Sequence, residues 1–297
     1  MPLADRTGAE VPAVRKRQGA GALPGTLFLA ALMLVSLVGG PLAADVTITR
    51  LANEGVIVSD GRLRIMIDGM VVEPYSLYGG LPDKAALAFD RATGAFAGID
   101  LALASHRHHD HNQPRFACRF LQASPGTEFK SSPQVIGLMR EKCREFVLTS
   151  PRVHQIEPQY GVPHVTELDG ARVSAFLLSH GVRKYARLQN YGHLVELGGV
   201  TVVHLGDAAM GPEDFARAGL DTVDIDVALI PFWFFQPGAG AALIERFLDA
   251  PLKIAVHIPP REMAETREHL AAEFPTVVVL AQPLDELTVG TRAAPVR

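Results

Sequence analysis

Residues 103–114 read LASHRHHDHNQP, and the six positions 106–111 hold four histidines and one aspartate. The cluster follows directly on the apolar run IDLALAS (residues 99–105). Such a run fits a short strand buried in a sheet, with the cluster at its C-terminal end. In extended chain, residues two apart point the same way. His106 and His108 can therefore face one ion, while Asp110 and His111 turn with the chain toward a second ion beside it. His109 points away. One loop supplies too few ligands to close two sites, so the fold has to carry further ligands back to this rim. The alternative for the cluster is a solvated polar turn.

Three further residues stand where such a fold would need them. LLSHG places His180 after an apolar run, VVHLGDA places Asp207 after another, and IAVHIPP places His257 after a third. Each follows one pattern: an apolar strand, a metal-competent residue, then small or turn residues. Loops at one edge of a rigid sheet commonly carry catalysis. His154 and His164 are the rivals of His180. His193 and His204, inside a predicted hairpin, and His269, on a polar helix, read as structural.

The rest of the chain supports a sheet-rich scaffold. VTITRLANEGVIVSDGRLRIMIDGMVV reads as consecutive strands, with a hairpin turning at Asp60-Gly61. QPRFACRFLQAS and SPQVIGLMREKCREF read as helices with Pro114 and Pro133 in their first turns. Strands resume at RVHQIEP and HVTELDGARVSAFLLSHG. NYGHLVELGGVTVVHLGD is a hairpin turning at Gly198-Gly199. The segments PEDFARAGL, DIDVALIPF, AALIERFLDA, LKIAVHIPP, REMAETREHLAAEF and TVVVLAQP then alternate helix and strand. The hairpin-rich first half is echoed by the second. Two sheets packed face to face, with helices outside, would bury these strands. There is no repeat or low-complexity segment after residue 45.

The first 44 residues read differently. Arg15, Lys16 and Arg17 precede an apolar run at 27–38, and GGPLAAD follows. Basic, apolar and small, in that order, is the layout of a signal peptide cleaved after Ala44. A membrane span needs roughly 20 apolar residues, so the run is short for one; an uncleaved anchor is the alternative. The mature domain is then 45–297, placed in the periplasm or secreted, with no contact with the membrane beyond this segment. Cys118 and Cys143 read as two buried thiols, although an oxidising compartment would permit a disulfide.

SHRHHDH matches the His-x-His-x-Asp-His signature of the metallo-β-lactamase superfamily. LSHG, HLGDA and VHIPP resemble its later histidine, aspartate and histidine motifs in the same order. The segment from Ile48 through IMIDGM resembles its opening hairpins. The resemblance implies a four-layer αββα sandwich of two mixed β-sheets flanked by helices. It implies that His106, His108 and His180 hold one metal, that Asp110, His111 and His257 hold a second, and that Asp207 bridges them. Asp68 resembles a buried aspartate that orients the metal loop. Ser105 stands where threonine is commoner.

The chemistry implied is hydrolysis. Two divalent ions, zinc or alternatively manganese or iron, bring a bridging water toward neutral pKa and polarise the scissile group. Asp110 orients the nucleophile. The substrate is a small molecule with an ester, phosphoester, lactone or amide bond. Arg183 and Lys184 could clamp an anionic substrate, and Trp233 could wall the pocket. The chain lacks a cysteine near Asp207, unlike common zinc β-lactamases. Its net charge of −4 and its leader disfavour nucleic acid as a partner. Alternative readings are an iron-dependent redox enzyme and a non-catalytic metal-binding protein. The oligomeric state is left open.

Overall fold

The computed structural model describes residues 45–181 and 183–290. The leader expected over residues 1–44 lies outside the described residues. Two seven-stranded sheets form the body. The first takes β1 (Val46–Arg50), β2 (Val56–Ser59), β3 (Arg64–Ile67), β4 (Leu101–Ala104), β5 (Glu128–Ser131) and β6 (Val153–Gln155). The second takes β7 (His164–Leu168), β8 (Ala171–Leu178), β9 (Asn190–Leu197), β10 (Val200–His204), β11 (Val227–Pro231), β12 (Leu252–Val256) and β13 (Val277–Val278). β14 (Glu286–Val289) then returns to the first sheet and pairs antiparallel with β1. The halves echo each other: β1 to β3 and β7 to β10 are antiparallel, while β3 to β6 and β10 to β13 are parallel.

Side-chain alternation builds the layers. Val56 and Val58, Ile65 and Ile67, and Leu101 and Leu103 point between the sheets, where they meet Val200, Val202, Val227, Leu229, Ile254 and Val256. The intervening residues Ile57, Met66, Ala102 and Ala104 face outward and pack under helices α1 (Asp83–Asp90), α2 (Pro114–Ala123) and α3 (Pro133–Thr149). On the opposite side Val203, Ala228, Ile230 and Ala255 pack under α4 (Pro212–Arg217), α5 (Gly240–Phe247) and α6 (Met263–Glu273). Strands apolar on both faces therefore sit in the middle of each sheet. Each fully buried Val, Leu or Ile contributes about 1.5–3 kcal/mol relative to exposure. The expected four-layer αββα sandwich is the fold observed.

Both expected hairpins form. Gly198 and Gly199, at φ +58° and +82°, make the two-residue turn between β9 and β10, where Leu197 pairs with Val200. Only residues free to take positive φ at both positions allow that turn. Two expectations need correction. TVVVLAQP supplies only the two-residue edge strand β13; the last strand is β14, further on. Cys118 and Cys143 are not free thiols: they form a disulfide joining α2 to α3, with Cα atoms 6.4 Å apart. Helix α3 breaks at that cysteine (φ −147°, ψ 55°). Among the described residues no helix is long and apolar enough to cross a membrane.

Candidate metal centre

Five strand ends meet at one rim of the sandwich. β4 runs into the histidine loop, β8 into His180, β10 into Asp207, β12 into His257 and β3 into Asp68. The sheets are joined here by Tyr191 N–H, which donates to the carbonyl of Ser105 (3.0 Å); within the second sheet Gly181 N–H donates to the carbonyl of Asp207 (2.8 Å).

The expected donors converge in two groups. In the first, His106 Nε2 lies 3.0 Å from His108 Nδ1. Asp207 Oδ2 lies 3.1 Å from His180 Nε2 and 3.7 Å from His106 Nε2. In the second, His111 Nε2 and His257 Nε2 are 3.0 Å apart. Asp207 Oδ1 lies 3.1 Å and 2.9 Å from them, and Asp110 Oδ2 3.7 Å and 3.6 Å. Asp207 thus turns one oxygen to each group. Two ligands at about 2.05 Å around a tetrahedral ion stand roughly 3.3 Å apart, so these spacings suit a metal ion in each group. Histidine and carboxylate donors without thiolate suit zinc, manganese or iron.

The charges agree with this arrangement. Burial opposes protonation of His111, yet the carboxylates of Asp207 and Glu54 outweigh it and hold its pKa well above the usual histidine value. Burial likewise opposes charge on His257, and Asp207 overrides it, so the pKa rises. Burial works against an ionised Asp207, but His257, His111 and His106 keep its carboxyl well below the usual range. Burial lowers His106 well below its ordinary value, and burial with the neighbouring His180 brings His108 to about 4. The rim therefore holds a buried carboxylate that calls for positive charge, and at His106 and His108 neutral imidazoles able to donate lone pairs.

A supporting layer stands behind the donors. Asp68 accepts from Ser105 N–H (2.6 Å) and from the Ser105 hydroxyl (2.5 Å), and its Oδ2 lies 2.9 Å from His111 Nδ1. The serine hydroxyl fills the role that a threonine would. Asn190 accepts the Asp207 N–H at 3.1 Å. Gly206, at φ +55°, precedes Asp207, and a Cβ there would lie 2.4 Å from Asn190 Oδ1. Only glycine lets the chain pass that amide.

Some of this layer was not expected from the sequence. The Asn53–Glu54 turn, read only as part of a hairpin, reaches into the site. Asn53 Nδ2 donates to the Asp110 carbonyl (3.0 Å), and Glu54 Oε1 lies 3.0 Å from His111 Nδ1. Glu54 could also be counted with the second donor group. Its nearest approach, however, is to the nitrogen of His111 that faces away from Asp207, so it backs the imidazole. The available signal was two polar residues inside the apolar stretch LANEGVIV. Tyr78 and Tyr185 were also missed. Tyr78 packs edge-on to His257 with ring centroids 4.3 Å apart. Burial, with Asp207 and Asp110 nearby, raises its phenol pKa. Tyr185 stands 4.6 Å from His108 and 5.0 Å from His180.

The other expected residues are placed as follows. Trp233 lies 5.1 Å from the His257 ring and donates from Nε1 to the Ala208 carbonyl (3.3 Å), so it does flank the site. Lys184 Nζ sits over the Tyr185 ring at 4.7 Å. Arg183 opens the short turn Arg183–Tyr185, and its side chain lies outside the described part of the structure. His204 accepts from Gly206 N–H at Nδ1 (3.2 Å), which leaves Nε2–H to donate to the Glu54 carbonyl (3.2 Å). His193, paired with His204 across the strands, is buried and finds no hydrogen-bond partner among the described residues. Burial, reinforced by His204, drops its pKa to about 3.

That drop has a measurable consequence. The unfolded chain takes up the His193 proton near pH 6.5, and the folded chain only near 3. Neutral His193 therefore adds stability that is complete above about pH 6.5 and is lost as pH falls toward 3. The slope of that loss is about 1.4 kcal/mol per pH unit. Urea unfolding of the chelated protein at descending pH should show a shallower loss for His193→Phe by that amount. Equal slopes in the two proteins would refute the assignment.

The sequence matches the family described as the beta-lactamase superfamily domain over residues 80–280. No curated protein matches it significantly. Among solved structures, it is similar to a metallo hydrolase of the archaeon Ignicoccus hospitalis, with TM-score 0.56, 17% identity, and 84% and 100% of the two chains covered. The metallo-beta-lactamase fold protein YhfI of Bacillus subtilis gives TM-score 0.57 at 14% identity over 83% and 100% of the chains. The CmlA beta-hydroxylase of Streptomyces venezuelae, in a mutant form, gives 0.53 at 15% identity, over 82% of this chain and 54% of that one. At such identities the likeness is one of fold. The family match spans most of the sandwich and every donor at its rim except the supporting Asp68 and the Asn53–Glu54 turn, and on that ground this chain belongs to the metallo-β-lactamase superfamily.

Proposed function

We propose that the protein is an exported, dinuclear metal-dependent hydrolase acting on an ester, phosphoester, lactone or amide bond. The observation that carries this reading is the division of the Asp207 oxygens between two donor groups, Oδ2 toward His106 and His180 and Oδ1 toward His111 and His257. His106, His108 and His180 would hold one ion, Asp110, His111 and His257 the other, and Asp207 would contribute to both. When bound, the ions supply Lewis acidity and a water that ionises near neutral pH. The chain's own groups do the rest. Asp110 would orient the attacking water and hold the proton it gives up. Asp68 and Glu54 hold His111 by Nδ1, so that Nε2 stays free to donate. Tyr78 keeps its phenolic proton beside the two aspartates, available to a leaving group. Tyr78, Tyr185 and Trp233 wall the mouth and exclude water. Export is supported by the basic-apolar-small leader and by the Cys118–Cys143 disulfide, a bond that persists in oxidising compartments.

Metal analysis of the purified chain, combined with chromogenic phosphodiester, ester, lactone and lactam substrates, tests the reading. Two ions per chain and turnover of one of these classes is the expected result. Iron with oxygen-dependent turnover would replace it with the redox alternative. Bound metal without any turnover would leave a metal-binding protein.

A further inference from the structure

We propose that a basic pocket next to the metal centre binds an anionic group of the substrate, a carboxylate or a phosphate. This deepens the hydrolase reading and rests on it for the word substrate. The pocket, about 210 Å³, is lined by Arg107, Gln134, Lys184, Tyr185, Arg187 and Leu188. Three of these six side chains are cationic and none is acidic. Among the described residues, no carboxylate stands within ion-pair distance of Arg107, Lys184 or Arg187, although carboxylates pair with Arg62, Arg119, Arg172, Arg217, Arg246 and Arg261 elsewhere and other arginines also stand without one. Three cations left together without counter-charge, on a chain of net charge −4, make a local attractor for anions.

The place of the pocket connects it to the chemistry. Arg107 sits in the chain between His106 and His108. The ring of Tyr185 lines the pocket and also packs against His108 (4.6 Å) and His180 (5.0 Å). A group held in the pocket is therefore one aromatic ring away from the first donor group. The wall is fixed rather than loose. Gln189 N–H donates to Gln134 Oε1 (3.1 Å), Gln134 N–H to Gln189 Oε1 (3.3 Å), and Gln134 Nε2 to the Arg187 carbonyl (2.8 Å). The loop bearing Arg187 is thus tied to the start of α3. The size admits a small oxyanion with the few atoms joining it to a scissile bond. Arginine forks match both carboxylate and phosphate.

The test is calorimetric titration of the full chain, stripped of metal by chelator, with inorganic phosphate and with acetate. Chelation keeps the metal centre from taking the anion itself. The parent should bind, more weakly as salt rises. Arg107→Ala/Arg187→Ala should bind several-fold and up to about 25-fold more weakly, since each exposed ionic contact contributes up to about five-fold. Lys184→Ala, changed alone, should weaken binding by a smaller factor. Tighter binding of phosphate than acetate would point to phosphate-bearing substrates, and parity to carboxylates. No binding by the parent, or unchanged binding by the double variant, overturns the proposal. Binding with no turnover of any substrate by the metal-loaded chain would instead sink the hydrolase reading and leave the pocket standing.

Discussion

Asp207→Ala is expected to remove both metal ions at once and to lower hydrolysis by about 10³-fold or more, because both Lewis acidity and the ionised water go with the ions. The reason is geometric. Oδ1 stands 2.9 Å from His257 and 3.1 Å from His111, and Oδ2 stands 3.1 Å from His180. No other carboxylate among the described residues spans the two groups. Removing it also leaves His111 and His257 Nε2 facing each other at 3.0 Å without the charge that justifies their approach. His180→Ala and His257→Ala touch one group each and should drop the metal content from two ions to one. Metal analysis after dialysis reads all three variants. Two ions retained by Asp207→Ala would end the dinuclear assignment.

Asp68→Ala should act through a different route and lower stability even with no metal present. Its carboxylate is buried, accepts two hydrogen bonds from Ser105 and stands beside His111. Burial opposes its charge, but the hydrogen bond and charge of His111 hold its pKa far below the ordinary carboxylate range. Truncation strands the buried Ser105 N–H and leaves the Ser105 hydroxyl and the His111 imidazole with one partner fewer each. Breaking a buried charged pair costs about 3–5 kcal/mol, and loss of a ligand-orienting partner lowers metal affinity about 10–100-fold. Urea unfolding in chelator measures the first effect and competition with a chelator the second. Stability within about 1 kcal/mol of the parent, the range of an ordinary surface change, would show that Asp68 does not hold the loop.

The sequence made the donors readable because each ends an apolar run, and an apolar run ending at a sheet rim has few places to go. His106, His108, Asp110, His111, His180, Asp207 and His257 were all named from that pattern and its resemblance, and all seven converge. The Asn53–Glu54 turn was harder to read because its placement depends on backbone shape. Asn53 adopts φ of +52°, uncommon for residues other than glycine and found where a fold over-determines a functional site. Periodicity does not announce such turns. β14 was missed for another reason: Glu286–Val289 is a short edge strand with exposed positions, so it carries no apolar run. Tyr185 escaped because a tyrosine in a polar loop looks the same whether it faces solvent or a histidine. The cysteines were misread because their separation along the chain says nothing about how α2 and α3 pack side by side.

The return of β14 has a consequence for how the molecule comes into being. Val46 pairs with Val289 and Thr47 with Thr288, so the outer border of the first sheet is completed by residues translated long after the strands they join. Until then β1 offers a row of unsatisfied amides and carbonyls, the kind of border that recruits a neighbouring polypeptide. A nascent chain of this protein is therefore most exposed to misassembly late in synthesis, and pairings so distant along the polymer slow the final closure.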